Sequence, residues 1–110
     1  MSLKELQTLV YNEYIKNGFE SEWRITMDMQ AIVQKKFDLA ELALVTSEVS
    51  EAMEEVRKKI IDKDHLAEEC ADIIIRVLNF MSRNDFDATE AINKKHIKNL
   101  GREKLHGKSC

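Results

Sequence analysis

At 110 residues and a formal net charge of −3, the chain has room for one small domain, taken as residues 1–110, and no general electrostatic drive toward nucleic acid. With 44% hydrophobic and 34% charged residues it reads as a folded chain, not a disordered one. No apolar stretch approaches the roughly 20 residues that span a bilayer, and charges stand too early in "MSLKELQTLVYNEY" for a secretory leader. Cys70 and Cys110 make neither a CxxC pattern nor a disulfide framework, so a reducing cytoplasm is the expected setting.

The absence of proline, with only three glycines, favours long helices, and four are expected. The first opens at Ser2, an N-cap with Glu5 as its box partner, and carries Leu3, Leu6, Leu9, Val10 and Tyr14 until Gly18 stops it. A less regular stretch, "GFESEWRITMDMQ", follows. The second helix is placed from about Asp38 to Ile61 and the third from His65 to Arg83, capped by Asp64. After the turn "RNDFDAT", Asp87 caps a fourth helix ending near Gly101, ahead of the basic tail "REKLHGKSC". The expected fold is all-α, a four-helix bundle-like chain. So short a bundle, with so much apolar surface on its third helix, implies completion by homo-oligomerisation.

Two acidic pairs stand out. Glu48 and Glu51 lie three apart on the second helix, and Glu69 and Asp72 repeat the spacing on the third. Such a pair alone is common and is ordinarily a solvated face. On the second helix Leu42, Val45, Val49, Ala52, Met53, Val56 and Ile60 form the apolar stripe, with Glu48, Glu51 and Glu55 beside it and Leu44 among the acids. The third helix is apolar around most of its circumference, leaving a polar strip of Glu69, Asp72, Arg76 and Asn79. A helix of that kind is expected to be largely buried, and buried carboxylates must meet a cation, a proton or a basic side chain. Arg76, four residues after Asp72, offers a purely structural bridge. Otherwise each pair converges on one ion from its own helix, and four carboxylates without a well-placed His or Cys suit Mg²⁺ or Mn²⁺ over zinc or copper.

The arrangement "EVSE … ECAD" (Glu48, Glu51, Glu69, Asp72) resembles the ExxE…ExxD signature of the MazG-like all-α nucleoside triphosphate pyrophosphatases. "LALVTSEVSEAMEEVRK" and "LAEECADIIIRVLNF" are similar to the two metal-bearing helices of that family, and Lys95, Lys98, Asn99 and Arg102 to its basic KxxKNxxR segment. The likeness covers residues 39–110 and is loose before that. It implies Mg²⁺-dependent hydrolysis of a (deoxy)nucleoside triphosphate to monophosphate and pyrophosphate, in a house-cleaning role on the nucleotide pool. It also implies that Glu48, Glu51, Glu69 and Asp72 hold the metal and that Lys95, Lys98, Asn99 and Arg102 handle phosphates. A homodimer or homotetramer follows too, with sites assembled partly across subunits. Glu51 or Glu48 is the candidate general base.

Phe19 and Trp23 are weighed between a base-stacking wall and packing over the end of the bundle. Lys35 and Lys36 read as a solvated helix entrance, and His96 as a surface histidine. The Asp62/His65 pair echoes di-iron bundles but lacks the twin such sites need. Met27, Met29, Met53 and Met81 read as gap-filling or interface residues. Two rival readings remain: a phosphoribosyl-ATP pyrophosphatase-like enzyme, and a non-enzymatic helical dimerisation or adaptor module. No nucleic-acid or membrane partner is expected.

Overall fold

The computed structural model describes the backbone of residues 1–16 and 27–106, and the side chains of residues 1–16 and 31–102. Gly18, Phe19 and Trp23 therefore lie outside the described residues, as do the side chains of Met27 and Met29. Among the described residues four helices follow in order: α1 (Leu3–Lys16), α2 (Met27–Arg57), α3 (Lys63–Arg83) and α4 (Ala88–His106). The chain is all-α. The third helix is its axis: α2 packs along it most extensively, α1 covers it next, and α4 rests on α1 and α3.

Local signals fix several ends. Ser2 caps α1, its Oγ accepting from the Glu5 N–H at 3.1 Å. Asp87 caps α4 in the same way, with Oδ1 accepting from the Glu90 N–H at 3.1 Å. The α3–α4 turn is a Schellman closure, with Phe86 N–H donating to Met81 O and Asp85 N–H to Ser82 O. That geometry needs a left-handed residue, and Asp85 supplies it at φ 59 in place of the usual glycine.

Four boundaries differ from expectation, among them the end of α2, which comes at Arg57 and not near Ile61. Helix α2 starts at Met27, not near Asp38. No glycine or proline interrupts residues 27–37, and Asp38 is an internal acceptor rather than a cap. The cap of α3 is Asp62, not Asp64: its extended backbone, φ −83 and ψ 101, lets Oδ1 accept from the His65 N–H at 3.1 Å. Asp64 instead sits in the first turn, where its charge complements the helix dipole. Gly101 does not end α4, which continues to His106. A glycine stops a helix only where the chain turns left-handed, and strong helix formers follow this one.

The buried core is small: Phe37, Leu78 and Ala88 are its apolar members. Beside it the Arg83 guanidinium lies 4.2 Å from the Phe37 ring centroid and binds Asp38 and Glu41. Tyr14 of α1 reaches the same Glu41 through its hydroxyl. This network uses the charged residues to tie α1, α2 and α3 together at one end. By contrast, the apolar stripe of α2 stays largely open, with Val49, Met53, Val56 and Ile60 all exposed. The expectation that α3 is largely buried fails for one chain: Cys70, Ala71, Ile74 and Ile75 are exposed and Leu78 is its buried member. A single neighbouring helix covers one face of α3, and its apolar surface is wider than that.

Gln7 is the polar clasp of the fold. Only 7% exposed, it donates through Nε2 to Ser82 Oγ (2.9 Å) and Phe86 O (2.8 Å), and its Oε1 accepts from the Ala88 N–H at 3.1 Å. One α1 side chain thus satisfies both the end of α3 and the start of α4. Gln7→Ala strips these partners in a buried setting and is expected to cost about 2–3 kcal/mol. Urea unfolding followed by far-UV circular dichroism checks this, and an unchanged midpoint would show that the clasp is dispensable.

Candidate metal centre

The short link from Lys58 to Asp62 folds α2 back along α3, so residues descending one helix meet residues ascending the other. Reading along the pair, Glu48 faces Arg76, Glu51 faces Glu69, and Glu55 faces His65. The spacings of three and four residues on α2, and of four and seven on α3, keep each set on one helix face.

At the centre, one carboxylate oxygen from each of Glu48, Glu51 and Glu69 lies within 4.8 Å of the others. Glu48 and Glu69 are mostly buried, with side chains 14% and 12% exposed, while Glu51 is exposed. The charges oppose one another. The anion on Glu48, and next that on Glu69, raises the Glu51 carboxyl pKa, with partial desolvation and hydrogen bonding to both neighbours acting in the same direction.

A basic side chain stands on each flank of the cluster. Arg76 Nε donates to Glu48 Oε1 at 2.8 Å. His65 Nε2 lies 3.1 Å from Glu69 Oε1, one helical turn along α3. Glu55, 2% exposed, accepts from Lys58 Nζ at 2.9 Å and from the Asp62 N–H at 3.3 Å. The Lys58 hydrogen bond lowers the Glu55 pKa against the opposing effect of desolvation.

Glu69 Oε2 is buried and has no hydrogen-bond partner among the described residues. An orphaned carboxylate oxygen beside two further carboxylates fits a hard cation, which would supply the missing contact and quench the repulsion.

The expected site residues separate into groups. Glu48, Glu51 and Glu69 come together. Asp72 is exposed and stands outside that three-residue group. Arg76 does not bridge to Asp72; it crosses to Glu48. On α4, Lys95, Lys98 and Arg102 are exposed, and Asn99 turns partly inward with a buried Oδ1 that lacks a partner among the described residues. Lys35 and Lys36 are exposed within α2 rather than at its entrance, and His96 is exposed on α4. Trp23 lies outside the described residues.

Sequence reasoning missed His65 as a neighbour of the cluster; it set Glu55 in the acidic stripe and Arg76 in the polar strip but not the partners they take. The four-residue step from His65 to Glu69 was a usable signal, whereas the Arg76 and Glu55 contacts depend on how the two helices align.

Residues 37–105, more than half of the chain, match the family model described as the MazG nucleotide pyrophosphohydrolase domain. The chain belongs to that family, whose activity is nucleotide pyrophosphohydrolysis and whose members are generally metal-dependent. No curated protein and no solved structure gives a significant match. Among the described residues no helix is long and apolar enough to cross a membrane.

Glu51 binds its proton more tightly in the folded chain than in the unfolded one. Its contribution therefore favours folding below the unfolded value of 4.5 and is lost as pH rises through the raised folded value. In chelator at neutral pH, Glu51→Gln is accordingly expected to raise Tm, with the advantage shrinking on acidification toward 4.5. Added Mn²⁺ should stabilise the wild type and erase the difference. A variant no more stable than wild type in chelator would show that the three carboxylates do not strain the fold.

Proposed function

We propose that the chain is a cytoplasmic, Mg²⁺-dependent nucleoside triphosphate pyrophosphohydrolase. It would cleave (deoxy)nucleoside triphosphates to the monophosphate and pyrophosphate, in a house-cleaning role on the nucleotide pool. The observation that carries the reading is the convergence of Glu48, Glu51 and Glu69 in a chain of this family. All the donors are carboxylate oxygens, the set that suits Mg²⁺ with Mn²⁺ as a substitute. Glu48, Glu51 and Glu69 would hold the ion, with Asp72 joining them from the next turn of α3. When bound, it supplies positive charge to the phosphates and acidifies a water.

The chain's own residues then divide the work. Glu51, the exposed member of the three, takes the proton of the attacking water. Glu48 and Glu69, mostly buried and each braced by a basic side chain, keep their positions. Lys95, Lys98, Asn99 and Arg102 take the phosphates and stabilise the growing charge of the pyrophosphate leaving group. Trp23 is proposed to stack on the base.

A second copy of the chain is the proposed cover for the apolar stripe. Val49, Ala52, Met53, Val56, Leu66 and Cys70 line an almost wholly apolar groove between α2 and α3. Exposed apolar surface on this scale suits an interface rather than solvent. A homodimer or homotetramer would also assemble each site partly across chains.

The test is to incubate purified protein with a panel of NTPs and dNTPs plus Mg²⁺ and to identify the products. Monophosphate and pyrophosphate are expected, and Glu69→Gln should lower kcat by about a hundredfold or more while helicity is unchanged. Asp72→Asn should lower it as well. Inorganic phosphate as the primary product would overturn the cleavage position, and phosphoribosyl-ATP as the preferred substrate would move the chain to the related branch. No turnover of any nucleotide would favour an adaptor. Light scattering reads the assembly, and a monomer would sink the shared-site reading.

A further inference from the structure

The proposed function uses Arg76 as a brace for Glu48 and gives its guanidinium no part in substrate binding. Its Nε donates to Glu48 Oε1 at 2.8 Å, and Glu48 is one of the three converging carboxylates. The metal and Arg76 thus claim the same side chain. Only Nε is engaged. The side chain is 42% exposed, which leaves the guanidinium open to solvent.

Among the described residues Arg76 forms its ion pair with Glu48. Glu41, the next acid along this face of α2, is held by Arg83 and by the Tyr14 hydroxyl. The neighbouring basic groups are committed as well: Lys58 to Glu55, and His65 to Glu69 and Glu55. Lys95, Lys98 and Arg102 of α4 make no ion pair with the cluster, and α4 packs on α1 and α3 rather than beside the carboxylates. Arg76 is therefore the permanently charged cation that this helix pair brings to its own acidic centre.

We propose that Arg76 is a tethered counter-ion: it holds Glu48 while the centre lacks a metal, and passes its guanidinium to a phosphate oxygen when a metal–nucleotide complex enters. A divalent ion at the carboxylates cancels much of the charge that draws Arg76 to Glu48. The polyphosphate arriving with it offers paired oxygens that suit the guanidinium better than one carboxylate oxygen does. Repulsion in the empty centre is relieved by Arg76, and the same cation is released toward substrate once that repulsion is gone. This rests on the nucleotide-hydrolase reading above.

The experiment separates the two. Mn²⁺ is titrated calorimetrically into nucleotide-free wild type, Arg76→Gln and Arg76→Lys, and KM for the best Mg²⁺–nucleotide substrate is measured in parallel. With its competitor removed, Arg76→Gln should bind Mn²⁺ about three- to tenfold more tightly, because the carboxylates lose a neutralising neighbour. Its KM should rise by about tenfold or more, with a smaller fall in kcat, because a ground-state phosphate contact is lost. Arg76→Lys should bind Mn²⁺ as wild type does and recover part of the KM.

Equal or weaker Mn²⁺ binding by Arg76→Gln would make Arg76 a mere brace for Glu48 and overturn the proposal, as would an unchanged KM. If wild type hydrolyses no nucleotide, the hydrolase reading falls on its own. The Mn²⁺ titration then still decides the counter-ion role, and the affinity for a non-hydrolysable α,β-imido deoxynucleoside triphosphate replaces KM.

Discussion

Three like charges within 4.8 Å of one another work against folding, and the arrangement of α2 and α3 is organised around holding them there. Packing brings the two helices close enough for Glu51 to meet Glu69, and it does so with Glu48 and Glu69 mostly out of water. Compensation comes from either end. Arg76 lies on Glu48, His65 on Glu69, and Lys58 neutralises Glu55 one turn farther along α2. The central acid, Glu51, is left to carry the unrelieved repulsion, which is why its proton is held more tightly than usual.

The opposite end of the same helix pair handles charge differently. Arg83, with a 4% exposed side chain, lies over the Phe37 ring and is shared between two carboxylates, Asp38 and Glu41. One end of the α2–α3 pair thus gathers its acids around a buried cation, while at the other the acids meet one another and the basic side chains stand at the flanks. A buried ion network holds geometry more than it adds stability, and this one fixes the alignment on which the distant carboxylates depend.

Much of this was legible locally. Helix count, the caps at Ser2 and Asp87, and the convergence of Glu48 with Glu51 follow from spacing alone, because each involves residues within one helical turn. What failed required knowledge of partners from elsewhere in the chain. Asp38 looks like a helix start and is in fact an acceptor for Arg83, 45 residues away. Arg76 reads as a partner for Asp72 by its four-residue step, yet crosses to α2. Asp72 shares a strip with Glu69, but which carboxylates meet is set by the crossing point of two helices, and no single-helix pattern records it. The openness of α3 is a failure of another kind: its sequence asks for burial that one chain does not provide.

The Gln7 clasp gives the chain a built-in order of assembly. Arg76 and Glu48 are 28 residues apart, whereas Gln7 reaches Phe86 and Ala88 across separations of 79 and 81. Closing the shorter loop costs less chain entropy, so the hairpin that carries the acidic centre can form before the N-terminal helix finds its seat. The last step of folding would then be the docking of α1, which latches a chemical apparatus already in place.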